Sequence, residues 1–189
     1  MSDPVTAMET LRFEGYVTVS QAGSLGMITL RGDFGSKPFG TALKKALGLD
    51  PPQKRQIAYG NNSTAAWMSP DELLIFCSWE DKATLITALQ KVIGKRHAMV
   101  IDVSDARMTF TLTGSNVREV IAKLAPVDLS PGSFEPGELR RTRFGQIAAA
   151  FWLVSQDEAK VICFRSVGDY MFKQLKAAST SGSELDIWT

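Results

Sequence analysis

Ala66-Trp67-Met68-Ser69-Pro70-Asp71-Glu72 and Phe151-Trp152-Leu153-Val154-Ser155-Gln156-Asp157-Glu158 share a Trp, a Ser and an Asp-Glu turn, and each leads into an apolar stretch that holds one of the two cysteines. Leu73 to Cys77 and Val161 to Phe164 read as strands because β-branched and aromatic residues cluster there between turn signals. Behind the first, Leu85, Ile86, Leu89, Val92 and Ile93 recur at helical spacing until Gly94 closes the element. Behind the second, a helix from about Val167 buries Tyr170, Met171, Leu175 and Ala178.

Reading outward from these anchors, the upstream elements also correspond. Leu25 to Leu30 is a strand between Gly23 and Gly32, and Phe39, Leu43, Ala46 and Leu47 form an amphipathic helix ended by Gly48. Ile57 to Tyr59 and Thr64 to Met68 continue as strands of a meander, with Asn61-Asn62 as a turn. In the second half, Ala98 to Val103 and Met108 to Leu112 are strands, and Gly114-Ser115 opens a helix carrying Val117, Val120, Ile121 and Leu124 that stops before Pro126. A loop over Val127 to Gly137 leads into a strand at Ile147 to Val154. The order strand, helix, strands, helix occurs twice, which predicts an α+β fold made of two pseudo-repeated halves. The expected organisation is a lead-in over residues 1–20, one α+β domain over 21–180 with halves at about 24–94 and 97–179, and a tail over 181–189. Trp67 and Trp152 are expected at matching core positions, each anchoring a sheet against its helix.

Composition narrows the function classes. Hydrophobic residues make up 44% and charged residues 22% of the 189, as in ordinary globular chains. Twenty-one Lys and Arg against 20 Asp and Glu leave a net charge of +1, without the basic footprint that nucleic acid selects. The apolar runs, such as Ile147 to Val154, are far shorter than the roughly 20 residues of a membrane helix, and the first ten residues lack a basic cluster followed by an apolar core. The expectation is a cytoplasmic protein with neither nucleic-acid nor membrane partners.

Candidate sites are sparse. Cys77 and Cys163 have no Cys or His at metal-ligand spacing, which argues against zinc or an iron-sulfur cluster, and their apolar settings predict inert, unpaired thiols. His97, the single histidine, reads as a polar residue at a strand entrance. Asp102-Val103-Ser104-Asp105-Ala106-Arg107 is the densest polar cluster beside a strand. Its carboxylates could serve acid-base chemistry if burial raised one pKa, or the segment is a turn in which Ser104 and the aspartates bind backbone donors and pair with Arg107. Arg140, Arg141 and Arg143 could grip an anion or form a solvated face. Gly32-Asp33-Phe34-Gly35 and the other glycines make neither a dinucleotide fingerprint nor a phosphate loop. At the C-terminus, the small polar stretch Ala178 to Ser183 is expected to act as a flexible linker, uncoupling Leu185, Ile187 and Trp188 from the domain. Those three residues are candidate interface anchors, because Trp is enriched at protein interfaces; the alternative is a tail that folds back onto its own domain or frays.

Ile101-Asp102-Val103-Ser104-Asp105-Ala106-Arg107, Leu112-Thr113-Gly114 before a helix, Val127-Asp128-Leu129-Ser130-Pro131 followed by Phe134 and Gly137, then Thr142 and Gly145, and Phe164-Arg165-Ser166-Val167-Gly168-Asp169-Tyr170-Met171 stand in that order. Together they resemble the gamma subunit of heterotetrameric sarcosine oxidase, over roughly residues 60–180. The resemblance implies a fold like the folate-binding domain of the glycine-cleavage T-protein and other aminomethyltransferases. It also implies alpha, beta and delta subunits as partners in an assembly that oxidatively demethylates sarcosine to glycine, forms hydrogen peroxide and passes the one-carbon unit to tetrahydrofolate. The resemblance further implies that the flavins, NAD, tetrahydrofolate and zinc belong to the other subunits, and it carries no catalytic residue over to this chain. A free-standing folate-dependent aminomethyltransferase-like protein, with Asp102, Asp105 and Arg107 as candidates beside the pterin, is the alternative. A scaffold or regulatory domain of the same fold is a third reading.

Overall fold

The strand and helix signals build two α+β units in the computed structural model, which describes residues 11–188. One unit is the continuous stretch Ser24–Asp105, and the other joins the residues up to Gly23 to those from Ala106 onward. In chain order the elements are β1 (Arg12–Glu14), β2 (Thr18–Gln21), β3 (Leu25–Arg31), α1 (Lys37–Leu47), β4 (Ile57–Tyr59), β5 (Ser63–Ser69), β6 (Glu72–Ser78), α2 (Lys82–Ile93), β7 (Met99–Asp102), β8 (Arg107–Thr113), α3 (Val117–Ala122), β9 (Leu139–Phe144), β10 (Ile147–Leu153), β11 (Glu158–Phe164) and α4 (Gly168–Ala178).

The Ser24–Asp105 unit has an antiparallel five-stranded sheet in the order β4-β5-β6-β3-β7. Helix α1 begins with Pro38 in its first turn, where a missing N–H costs nothing. It ends at Gly48, whose left-handed φ of 68° lets its N–H reach the Lys44 carbonyl. Phe39, Leu43 and Leu47 of α1 and Leu89 and Ile93 of α2 pack with Ile28, Leu30 and Ile75 of the sheet in one apolar cluster. The other unit has a six-stranded antiparallel sheet, β9-β10-β11-β8-β2-β1, whose core gathers Val19, Phe110, Phe134, Phe144, Phe151 and Met171 among others.

Pairing registers align the two sheets strand by strand. Cys77 stands opposite Gly26, and Cys163 opposite Met108, which makes β6 the counterpart of β11 and β3 that of β8. Val100 of β7 pairs with Leu30, and Val19 of β2 with Leu112, so β7 and β2 hold equivalent places. Each of these two strands runs in sequence directly into a strand of the other unit: β2 precedes β3 but pairs with β8, and β7 precedes β8 but pairs with β3. The repeat in the chain is therefore strand, strand, helix, three strands, helix, with the leading strands exchanged between sheets.

Several expectations change. Residues 11–20 of the expected lead-in form β1 and most of β2, and Val17 and Val19 are fully buried; residues 1–10 lie outside the described residues. Leu139–Phe144, a stretch to which the sequence pattern assigned no element, is strand β9. Trp67 and Trp152 do not match. The register aligns Trp67 with Leu153 and Trp152 with Ala66, a one-residue offset that places the two indoles on opposite faces of their sheets. Trp67 packs, partly buried, against its unit's core, whereas Trp152 is 4% exposed on the face away from Phe151 and Leu153.

Candidate functional site

Buried charge in the second unit gathers around α3. Glu119 and Lys123 stand one helical turn apart, which brings i and i+4 side chains together, and their charged ends lie 3.5 Å apart. The Glu119 side chain is only 4% exposed, yet its carboxylate is fully engaged. It accepts from the Tyr16 hydroxyl (3.0 Å) and the Leu185 N–H (2.7 Å) on one oxygen, and from the Asp186 N–H (2.9 Å) on the other. Lys123 Nζ donates to the Tyr16 oxygen (2.7 Å), to the Ala178 carbonyl at the end of α4 (3.2 Å) and to the Ser183 carbonyl. The Tyr16 N–H completes the junction by donating to the Ser179 carbonyl (3.1 Å). A Cβ on Gly15 would collide with that same carbonyl oxygen, so glycine is needed for the close approach.

Burial by itself would push the Glu119 carboxyl up, but the donors from Leu185, Tyr16 and Asp186 and the charge of Lys123 hold it below the ordinary glutamate range. The Tyr16 phenol moves the opposite way, raised by burial and by the neighbouring carboxylate. Glu119 is thus an ionised clamp on the C-terminal backbone.

The clamp corrects the expectation of an uncoupled tail. Ser179 is fully buried and Ser183 is held by Lys123, so the stretch from Ala178 to Ser183 is tied to its unit. Asp186 adopts a left-handed φ of 52°, uncommon for a residue with a Cβ. Its N–H is nonetheless held by Glu119. The side chains of Leu185, Ile187 and Trp188 remain 55%, 48% and 37% exposed. A backbone held in place with three large apolar groups turned outward is suited to binding a surface rather than to chemistry. Sequence reasoning found the three side chains but not Glu119, whose i+4 lysine was the only local signal.

The Asp102 cluster is divided by the chain's partition, with Asp102 and Asp105 in the Ser24–Asp105 unit and Arg107 in the other. Asp102 accepts from the Ser104 N–H (3.0 Å) and hydroxyl (2.6 Å) and pairs with Lys82 at 2.9 Å. Lys82 also lies 3.7 Å above the Trp79 ring. Burial opposes ionisation, but Ser104 and Lys82 prevail and keep the Asp102 carboxyl below its ordinary value. A raised pKa suited to general-acid work is therefore not found; the residue closes a strand-end turn, with Lys82 as its charged partner. The Arg107 guanidinium stacks 5.2 Å from the Phe164 ring.

Cys77 and Cys163 are free and buried, and desolvation pushes both thiols up to about 11. His97 is exposed at the lip of a concavity of about 670 Å³ that also includes Arg31, Asp33 and Asp71. Arg140 pairs with Glu138 and lies 4.9 Å from the Phe134 ring, so it serves packing at the start of β9. Among the described residues no group of three or more His, Cys, Asp or Glu is placed to hold a metal, and no helix is long and apolar enough to cross a membrane.

Comparison with known proteins gives this architecture its relatives. A solved structure of heterotetrameric sarcosine oxidase from Corynebacterium sp. U-96, in complex with pyrrole 2-carboxylate, contains a chain that superposes with a TM-score of 0.79 at 24% identity, covering 86% of this chain and 83% of that one. The glycine cleavage system aminomethyltransferase T from Bartonella henselae shares the fold, with a TM-score of 0.61 and 12% identity over 85% of this chain but only 45% of its own. In sequence, the sarcosine oxidase subunit gamma of Corynebacterium sp. (strain U-96) is 28% identical over 160 residues, which are 82% of this chain and 77% of the relative. The alternatives of a free-standing aminomethyltransferase-like protein and of a scaffold or regulatory domain of the same fold are not favoured by these matches. The model of the sarcosine oxidase gamma subunit family matches residues 31–181, beginning upstream of the motifs that carry the resemblance, and the chain belongs to that family.

Proposed function

We propose that this chain is the non-catalytic gamma subunit of a cytoplasmic heterotetrameric sarcosine oxidase, assembled with alpha, beta and delta partners. The observation that carries the reading is the family match over residues 31–181. The geometry supports it, because two carboxylates drawn from its polar clusters are committed to structure: Asp102 to its turn and Lys82, and Glu119 to the tail. In this reading the partners hold the flavins, NAD, zinc and tetrahydrofolate. Their chemistry is the oxidative demethylation of sarcosine to glycine with formation of hydrogen peroxide, the one-carbon unit passing to tetrahydrofolate. This chain contributes surface, and the clamped Leu185, Ile187 and Trp188 are its first docking candidates.

Purification of the native complex through a tag on this chain tests the assignment. Three further subunits and sarcosine-dependent peroxide formation are expected in the eluate, and neither from the isolated chain. Recovery of the chain without flavoprotein partners would overturn it. For the tail, replacing Leu185, Ile187 and Trp188 together by Ser keeps the backbone donors to Glu119. The isolated chain should melt as before, while assembly weakens by roughly thirtyfold or more, the scale of an interface hot spot of about 2 kcal/mol.

A further inference from the structure

The internal repeat leaves one position in the molecule unmatched. In the six-stranded sheet, β2 is covered on its far side by β1, with Arg12, Phe13 and Glu14 opposite Ser20, Val19 and Thr18. In the five-stranded sheet β7 holds the place equivalent to β2, and among the described residues no strand lies beyond it. The equivalent positions also differ in chemistry. Thr18 and Ser20 of β2 correspond to Met99 and Ile101 of β7, two apolar residues that are 40% and 44% exposed.

The hydrogen-bond phase fixes which backbone groups of β7 point away from β3. The Val103 N–H bonds the Met27 carbonyl (2.8 Å), and in an antiparallel ladder directly bonded pairs alternate. Ile101 and Met99 therefore face β3, while Val100 and Asp102 turn their N–H and C=O outward. The Gln21 N–H bonds the Leu11 carbonyl (2.8 Å), which by the same alternation has Val19, the counterpart of Val100, bonding β1. Proteins commonly blunt open edges with charge, as β1 does with Arg12 and Glu14 and β9 with Arg141 and Arg143. The middle of β7 carries no charge.

We propose that β7 is a strand-addition site, completed in the assembly by an extended segment of a partner subunit that takes the place β1 takes in the other unit. The segment runs antiparallel to β7, placing an apolar residue opposite Val100 as Phe13 stands opposite Val19, and apolar residues beside Met99 and Ile101. Its C-terminal end then emerges at the concavity holding Asp33 and Asp71, where Arg31 is already paired with Glu72 at 2.9 Å. A basic residue following the strand is the complement of that opening. Main-chain bonds supply the affinity and the alternating side chains the choice of partner.

The proposal rests on the gamma-subunit reading, so assembly of the unmodified chain is scored first; if no partner subunits are recovered, both readings fall. With the assembly in hand, amide exchange read residue by residue is the test. In the isolated chain Ile101 should exchange slowly and Val100 and Asp102 fast; in the assembly the latter two should slow by about a hundredfold or more. Unchanged exchange at Val100 and Asp102 in a complete assembly overturns this inference alone. So does concentration-dependent protection in the isolated chain, which would make a second copy the occupant. In parallel, the Met99→Lys/Ile101→Lys double variant should keep its melting temperature within about 2 °C and lose roughly tenfold or more in retention by the partners. Retention equal to that of the unmodified chain would contradict the proposal.

Discussion

At the scale of single residues, Glu119 shows how a buried charge can serve as a structural part. Removing its charge by Glu119→Gln leaves one acceptor oxygen where two now serve Leu185, Asp186 and Tyr16, and an unmet buried group costs about 1 to 3 kcal/mol. Urea unfolding should register a loss of that size, with whichever of the Leu185 and Asp186 amides faces the new NH2 group losing its protection. The pH dependence follows from the direction of the shift. Glutamates in the unfolded chain titrate near about 4.3, and the folded state holds Glu119 lower. The clamp's contribution is therefore complete above that pH and is lost as pH falls through the lower native value. Amide chemical shifts of Leu185 and Asp186, followed down an acid titration, should move toward random-coil positions in that window and remain constant above it. The cysteines behave in the opposite sense. With both thiols pushed up to about 11 by burial, a thiol reagent at pH 8 should label neither at an appreciable rate until the protein is unfolded, because the thiolate is the reactive form.

At the scale of elements, strand register decides what each tryptophan does. Trp152→Ala removes a nearly fully buried indole and should cost about 3 to 5 kcal/mol. Trp67→Ala, at a half-buried position, should cost less, and equal losses in urea unfolding would contradict the offset between β5 and β10. The sequence resemblance around the two tryptophans correctly paired the strands but missed their register, because matching Trp to Trp passes over the Ser and the Asp-Glu pair, which follow Trp152 one position later than they follow Trp67 and so carry the offset. The four helices were legible because each carries an apolar stripe, closed in α1 and α2 by the recognisable stops Gly48 and Gly94. Strand β9 was not, since only Leu139 and Phe144 at its ends are buried and arginines fill the rows between. An edge strand needs few apolar residues, so it leaves little pattern to read. In the candidate site, Leu185, Ile187 and Trp188 stood out by composition, whereas the clamp depends on Tyr16 and α3, which are far away in the chain.

At the scale of the whole chain, the exchanged leading strands make the two units unequal as folding entities. Ser24–Asp105 contains every strand of its sheet in one continuous stretch, so a fragment of those residues carries its complete ladder. The fragment beginning at Ala106 does not. It lacks β1 and β2, and with them Val17 and Val19, which are fully buried in its core, and the backbone partners of Thr111 and Thr113 on β8. Exposing that edge and the apolar surface beneath it removes both ladder bonds and burial, and a long unpaired strand edge also promotes association. Expressed separately, the Ser24–Asp105 fragment should unfold cooperatively in urea, while the fragment from Ala106 onward should aggregate or show weak, broad unfolding. Adding a peptide of residues 11–23 should restore cooperative unfolding to the latter, because it supplies β1, β2 and the Tyr16 hydroxyl that meets Glu119 and Lys123. The same peptide with Val19→Asp should fail, since an unpaired carboxylate at a fully buried position opposes docking. If the Ala106 fragment folds equally well without the peptide, the exchanged strand is an accessory to that sheet and not one of its structural members.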